Sequence, residues 1–422
     1  MRRPSKASSQ KLSAESQRLA TYAQAVGQAA SRIEERAWER TLDAQLHKLL
    51  KTGHQDTIDA TLSSLFKEDL NAYDVLMDCV EAVSESSTIS VEVDGETRYY
   101  DVLLVAAPVL AWTRFAIASG PIPAEALNTL QAHFSAHLLA DDTLLAMSPM
   151  LYSIDQLPRS HAETYSKVHK LAMAALKGGG AKSDARAPET ATFLADTRYL
   201  LAAVLAPQGG PLFRWQMSAA HNDVTGERNQ ALEQWRTQAQ PTVARLLPGC
   251  GVELLLPEAY YMACREADKL IRPVSIRAAV HYLTHTLGVE PGELRAVIAG
   301  FGEEDADGQI DEYRVSFTMR SQPEVIYGVV WPLYGQEDEE GTPPEGPLTG
   351  GIGGVQEKPV TPVDEIIGHL NEAGVTQIKK HGERYVAEFC DDCGAPLFAD
   401  PVGELAHAEM PEDAPTGTEH FH

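Results

Sequence analysis

The stretch "TISVEVDGETRYYDVLLVAAP", residues 88–108, decides how the chain is read. Apolar residues alternate with polar ones through Ile89, Val91 and Val93, the pattern of a strand with one wet face. Asp94 and Gly95 supply the pair that a tight hairpin turn requires, because glycine accepts positive φ without strain. On the return, from Val102 to Ala107, the alternation gives way to a continuous apolar run. That change predicts a strand buried on both faces, as in the centre of a sheet.

Outward from this hairpin the order is strand, helix, strand, helix. Residues 122–140 read as an amphipathic helix with Leu127, Leu130, Phe134 and Leu138 on one face, and residues 142–153 read as a strand. A helix over residues 162–177 stops at the glycines that follow. The chain then repeats the order. "YLLAAVLAPQGGPLFRW" (199–215) parallels "DVLLVAAPVLAWTRF" (101–115): an apolar strand reaches Pro207 or Pro108, then an aromatic beside Arg214 or Arg114. A helix through Leu232, Trp235 and Val243 follows, then a strand over residues 251–263, where Pro257 before Tyr260 mirrors Pro149 before Tyr152. We read a degenerate duplication of one α/β unit.

Before the hairpin, residues 14–87 read as helical, with Trp38, Leu42, Leu46, Leu49 and Leu50, then Ile58, Leu62, Leu65 and Phe66, then Tyr73, Leu76 and Val80 at helical spacing. Helices this short must dock on something. After the second unit come a helix through Ile276, Val280, Leu283 and Leu287, a shorter helix through Leu294, Val297 and Ile298, and a hairpin turning near Pro323. The expected fold class is therefore α/β, mixed α+β. Its parts are a basic disordered tail (1–13), a helical layer (14–87), a first α/β unit (88–177), a linker (178–190), a second unit ending in the hairpin (191–335), an acidic Gly/Pro-rich linker (336–361) and an isolated zinc-ribbon-like tail module (362–422). In that tail a helix leads to two short strands about Gly382.

Composition narrows the function classes. At 422 residues the chain has room for two to three domains of its own, and 44% hydrophobic against 23% charged residues is a globular balance. A net charge of -25 repels phosphate backbones and disfavours a nucleic-acid partner; only the Arg2, Arg3, Lys6, Lys11 tail offers a basic handle. The longest apolar run is broken by Pro108 and too short to span a bilayer, and no signal-peptide core follows the N-terminus. We expect a cytoplasmic protein with no membrane partner. Five cysteines, an odd number, do not make a secreted disulfide framework; Cys79, Cys250 and Cys264 read as small buried side chains.

The remaining pair lies in "EFCDDCGAPLFAD", residues 388–400. A zinc knuckle needs two thiolates to reach one ion from a tight turn, and Cys390, Cys393 and Gly394 have that spacing. His407 is the third candidate ligand, with a carboxylate or the terminal His420 or His422 to complete the set. A structural zinc ion, a redox pair and a metal-free turn all remain open, although Asp391 and Asp392 oppose the low thiol pKa that a redox pair uses. The acidic stretch 303–314 imitates a calcium loop, but with Gly308 at the sixth position its twelfth is Arg314, which cannot ligate calcium. His133 with His137 and His281 with His285 lack the glutamate of the metalloprotease pattern and do not read as metal sites; His281 and His285 lie away from the apolar face of their helix, as surface or interface residues would.

A crevice between the two α/β units would bring together Trp112, Arg114, Tyr152, Arg214, Trp215 and Tyr260, groups suited to stacking on and holding an anion. The same residues also suit the interface between the units, and that reading is favoured. The leading functional expectation is a noncatalytic interaction or regulatory protein with a protein partner or a second copy of itself. The alternative is an enzyme acting on a small anionic metabolite.

The start "MRRPSK", the stretch "YDVLLVAAPVLAWTRFAIASGPI" and the tail "CDDCGAPLFADPVGELAHAEMPED" resemble a family of bacterial proteins, found mainly in beta-proteobacteria and catalogued only as a domain of unknown function. The resemblance covers nearly the whole chain. It implies a bacterial cytosolic protein and brings no activity or catalytic residues.

Overall fold

The structure is a computed structural model that describes residues 12–93, 95–178, 193–217, 223–303, 309–334, 337 and 360–410. Most of both expected linkers, most of the basic tail, residues 304–308 of the calcium-like loop, Asp94, His420 and His422 lie outside these residues.

Four helices open the chain: α1 (Ala14–Gly27), α2 (Arg32–Thr52), α3 (Gln55–Glu68) and α4 (Leu70–Glu85). The Ser31 side chain accepts the Glu34 N–H at the start of α2, and Gly53 ends it in the left-handed region at φ 72°. Leu19, Leu42, Leu46, Leu49, Ile58 and Leu76 form their shared core. Trp38 and Phe66, which sequence spacing counts with that core, instead sit at its surface, 36% and 55% exposed.

The central sheet contains β1 (Ser86–Val93), β2 (Glu96–Trp112), β3 (Gly120–Pro121), β4 (Leu144–Ser153), β5 (Ala195–Pro207), β6 (Gly251–Leu254) and β7 (Glu258–Ala259). Its order is β1-β2-β5-β4-β3. β2 and β5 pair antiparallel from Tyr100↔Pro207 to Trp112↔Ala195. The opposite edge of β2 is shared: β1 takes residues 96–103, and β6 and β7 take 109–112 and 105–106. The break between β6 and β7 falls opposite Pro108, which has no N–H for the ladder, while its carbonyl accepts from Leu255 (2.8 Å).

Inner β2 is buried on both faces, as its apolar run predicts. Val105, Ala107, Val109 and Ala111 face α5 (Ala124–Leu138) and α7 (Val224–Leu246), where Phe134 and Trp235 meet edge to face at 5.7 Å. Val102, Leu104, Ala106 and Leu110 face α6 (His161–Leu176) and the first half of α8 (Tyr260–Leu287). Residues 260–263, expected as the end of a strand, are the first turn of α8. The elements assigned to two separate units thus interleave in one sheet, because β5 lies between β2 and β4.

A second sheet has the order β10-β9-β8-β11, from β8 (Leu294–Gly302), β9 (Glu312–Met319), β10 (Val325–Pro332) and β11 (Gln377–Val386). Residues 294–298 are a strand, not the short helix their spacing suggests. Leu294, Ala296, Val297, Ile298 and Ala299 are all buried, and a short apolar run does not distinguish a two-faced strand from a buried helix. β11 is one strand with an irregularity between Lys380 and Arg384, not two strands about Gly382.

The tail is also not isolated. β11 pairs parallel with β8, and α9 (Pro362–Glu372) buries Ile366 and Leu370 with Ile276, Leu283 and Trp331. α8 joins the two sheets, placing Ala263 and Ala267 in the first core and Ile276, Ala279 and Leu283 in the second. At its middle Pro273 cannot donate to the Lys269 carbonyl, and the Arg272 Nε–H takes that place (3.3 Å). No helix among the described residues is long and apolar enough to cross a membrane.

The helical layer meets the body where the Glu85 carboxylate accepts the Tyr261 N–H at the start of α8 (2.9 Å). Burial pushes the Glu85 carboxyl up to about 7 against its ordinary 4.5. A raised carboxyl favours folding most fully below about 4.5, and that contribution is lost as pH rises through about 7. Urea unfolding at pH 5.5 and pH 8 is therefore expected to show a smaller fall in stability for Glu85→Gln than for the wild type, by on the order of 2 kcal/mol. Equal falls would contradict this origin.

Candidate metal centre

The tail returns to the second sheet through a tight knuckle. The Leu397 N–H donates to the Glu388 carbonyl (3.0 Å), the Cys390 N–H to Ala395 (2.8 Å), and the Gly394 N–H to Cys390 (2.8 Å). Gly394 sits at φ 74°, a conformation that suits glycine and closes the turn. The turn aims backbone N–H groups at sulfur: Cys393 first, then Asp392, hold the Cys390 thiol below its ordinary value.

A short hairpin then brings in the third group. β12 (Phe398–Ala399) and β13 (Leu405–Ala406) pair antiparallel. The Asp400 carboxylate closes their turn by accepting the N–H groups of Val402, Gly403 and Glu404, each at 2.8 Å. His407, the next residue, lands with Nε2 3.1 Å from Cys393 Sγ. One ligand atom each from Cys390, Cys393 and His407 lies within 4.8 Å of the others. Zinc sits about 2.3 Å from thiolate sulfur and about 2.0–2.1 Å from imidazole nitrogen, so a tetrahedral ion fits this spacing and this S,S,N donor set. Glu409 Oε1 lies 3.4 Å from His407 Nδ1, where it can orient a ring ligating through Nε2.

The knuckle is fastened by a buried cation that the motif does not reveal. Arg314 in β9 is 1% exposed. Its Nη1 donates to the Glu388 and Leu397 carbonyls (2.8 and 2.6 Å), its Nε to Glu312 (2.6 Å), and it lies over Phe301 (4.3 Å) and Phe389 (5.1 Å). On the same face the Ser316 hydroxyl donates to Ala399 O (2.6 Å). Gly328 leaves room for the Phe398 ring, which would lie 2.2 Å from a Cβ added there. The signal was present in "EYRVSFT": Tyr313, Val315 and Phe317 face the apolar core, while Arg314, Ser316 and Thr318 are equally buried on the other face. A buried polar face requires a polar covering, here the carbonyls of the knuckle.

The other cysteines differ from this pair. Burial pushes the Cys79 and Cys264 thiols up to about 12 and raises Cys250 as well.

The six residues expected in one crevice do not assemble. Tyr152 and Tyr260 are buried in the core against α6 and α8; Tyr152 meets Ser148 Oγ (2.6 Å), and Tyr260 donates to Pro158 O (3.1 Å). Trp112 packs over Gly251. Arg114 is exposed, over Phe115 (5.3 Å). Arg214 donates to the Ala136 carbonyl (2.7 Å), and Trp215 stacks on Phe213 (4.6 Å) at the opposite face of the sheet. Arg214 and Trp215 alone share a cleft, of ≈ 250 Å³, with Glu227 and Gln230. The expectation failed because it assumed a seam between two units, and the central sheet has none.

With the site described, its kinship can be stated. The chain belongs to the family described as a protein of unknown function, DUF2863, whose model matches residues 4–421. No curated protein and no solved structure matches it. Membership covers the sheets and the knuckle alike, and the description assigns neither activity nor site residues.

Replacing Arg314 would strand the Glu312 carboxylate and two carbonyls beneath the knuckle. Arg314→Leu is expected to cost about 3–5 kcal/mol in chemical denaturation, the usual penalty for breaking a buried charge network. Loss below about 1 kcal/mol would remove the clamp from the account.

Proposed function

We propose that this protein is a cytoplasmic, noncatalytic interaction or regulatory protein whose C-terminal knuckle is held by one structural zinc ion. The observation that carries the reading is the convergence of Cys390, Cys393 and His407 within 4.8 Å on a backbone-cradled turn. Cys390 and Cys393 would ligate as thiolates and His407 through Nε2, with a carboxylate or a terminal histidine in the fourth position. Bound zinc supplies cross-linking energy to a segment with little apolar core of its own. Exposed Val386, Phe389 and Val402 (40%, 57% and 74%) surround this segment, and they are the apolar groups a protein partner or a second copy would cover.

The two-unit reading becomes a proposal of ancestry. Tyr100 pairs with Pro207 and Pro108 with Tyr199, a reciprocal match across β2 and β5 expected if both strands descend from one. The enzyme alternative rests on Arg214 and Trp215 only, since their four companions lie elsewhere.

Elemental mass spectrometry of the purified chain tests the proposal. One zinc per chain is expected in the wild type, with almost none in Cys390→Ser, Cys393→Ser and a melting temperature lower by roughly 5 °C or more. Metal-free wild-type protein would overturn the zinc reading. Turnover of a small molecule abolished by Arg214→Ala, with the fold intact, would overturn the noncatalytic one.

A further inference from the structure

In a chain with 35 basic and 60 acidic residues, basic side chains without a carboxylate partner stand out. Three such residues gather at one end of the second sheet. Arg295, the second residue of β8, lies on the face that carries the knuckle, beside Gln377 of β11, and Lys379 is two residues further along β11 on that face. The Arg295 guanidinium spends one bond on the Arg320 carbonyl (Nη2, 2.9 Å). With its amide oxygen turned toward Arg320, Gln377 accepts from Nη2 (2.9 Å) and Nε (3.1 Å). Lys379 Nζ donates to the Pro401 carbonyl in the β12–β13 turn. These contacts are all to neutral groups. Among the described residues, no carboxylate forms an ion pair with Arg295, Arg320 or Lys379.

The nearby acids are engaged elsewhere. Glu293 accepts the Glu290 N–H (2.9 Å), and Asp400 accepts the three N–H groups of its own turn. Between β8, β11 and that turn lies a cleft of ≈ 420 Å³, lined by Arg295, Thr376, Gln377, Ile378, Lys379 and Pro401. Its volume is in the range of small-molecule sites.

We propose that this cleft binds a small phosphate-bearing ligand. Arg295 offers the N–H groups left over from its carbonyl bond, Lys379 a point charge, and Thr376 and Gln377 neutral hydrogen bonds at the rim. Arg320 positions Gln377 and adds its charge. Three cations suit a dianion better than a single carboxylate, and they would focus an anion locally on a protein whose overall field repels it. The site is separate from the zinc ligands, although the β12–β13 turn forms one wall.

Titration calorimetry of the full-length protein with inorganic pyrophosphate tests the proposal, with citrate as the polycarboxylate probe and ionic strength held constant. One pyrophosphate per chain is expected, bound more tightly than citrate. Arg295→Gln and Lys379→Gln should each weaken it about tenfold or more, and Arg36→Gln on α2 should leave it unchanged. Lys379 is exposed, so its variant keeps the test informative if Arg295→Gln perturbs folding. Three outcomes would overturn the proposal: no saturable binding up to about 10 mM pyrophosphate, binding indifferent to Lys379→Gln, or citrate bound as tightly as pyrophosphate.

Discussion

Arg314 places a guanidinium in a strand with almost no contact with water. Such a cation is tolerable only where an anion and oriented carbonyls surround it. Glu312 supplies the anion, and the knuckle supplies the carbonyls of Glu388 and Leu397. The requirement runs both ways. The sheet cannot be covered on this face by an apolar helix, and the knuckle cannot leave without exposing the clamp. Phe398 over Gly328 and Ser316 on Ala399 complete the same contact. The position of Cys390, Cys393 and His407 follows from it, because both the turn and the hairpin that present them are pinned at their bases.

The rest of the chain is organised by two long elements. β2 buries both faces and shares its edges among four strands, so the helices on either side are ordered through it. α8 then carries the chain from the first core to the second. Pro273 at its middle would cost a helix hydrogen bond, and Arg272 answers for the freed carbonyl while also bonding Pro332 of β10 and pairing with Glu337 (2.9 and 2.8 Å). Each of these buried arginines thus ties its own element to the backbone of another. Arg198 does the same for the loop after β2, donating to Ile117 and Ala118.

What could be read from sequence followed the range of each signal. The hairpin at Gly95, the doubly buried run of β2 and the grouping of Cys390, Cys393 and His407 are local patterns of residue type and spacing, and each appears where expected. Residues 294–298 mislead because Leu294 and the short apolar run Ala296, Val297 and Ile298 suit a buried helix as well as a strand. The tail looked separate because the Gly/Pro-rich segment before it resembles a tether; composition does not reveal that Gln377–Val386 will pair with a strand some eighty residues earlier. The six-residue crevice required knowing how strands interleave. Loop spacing presents Arg314 only as the residue that spoils a calcium site, whereas its buried position in the alternation of β9 is the more informative fact.

The account rests on the claim that a metal ion with two sulfur ligands and at least one imidazole ligand holds the knuckle against the second sheet. X-ray absorption at the zinc edge on the intact purified protein measures that environment directly. The account predicts two sulfur scatterers at about 2.3 Å and nitrogen or oxygen at about 2.0–2.1 Å, with the outer-shell signature of imidazole. A shell of four sulfurs, or one made only of nitrogen and oxygen, would contradict it.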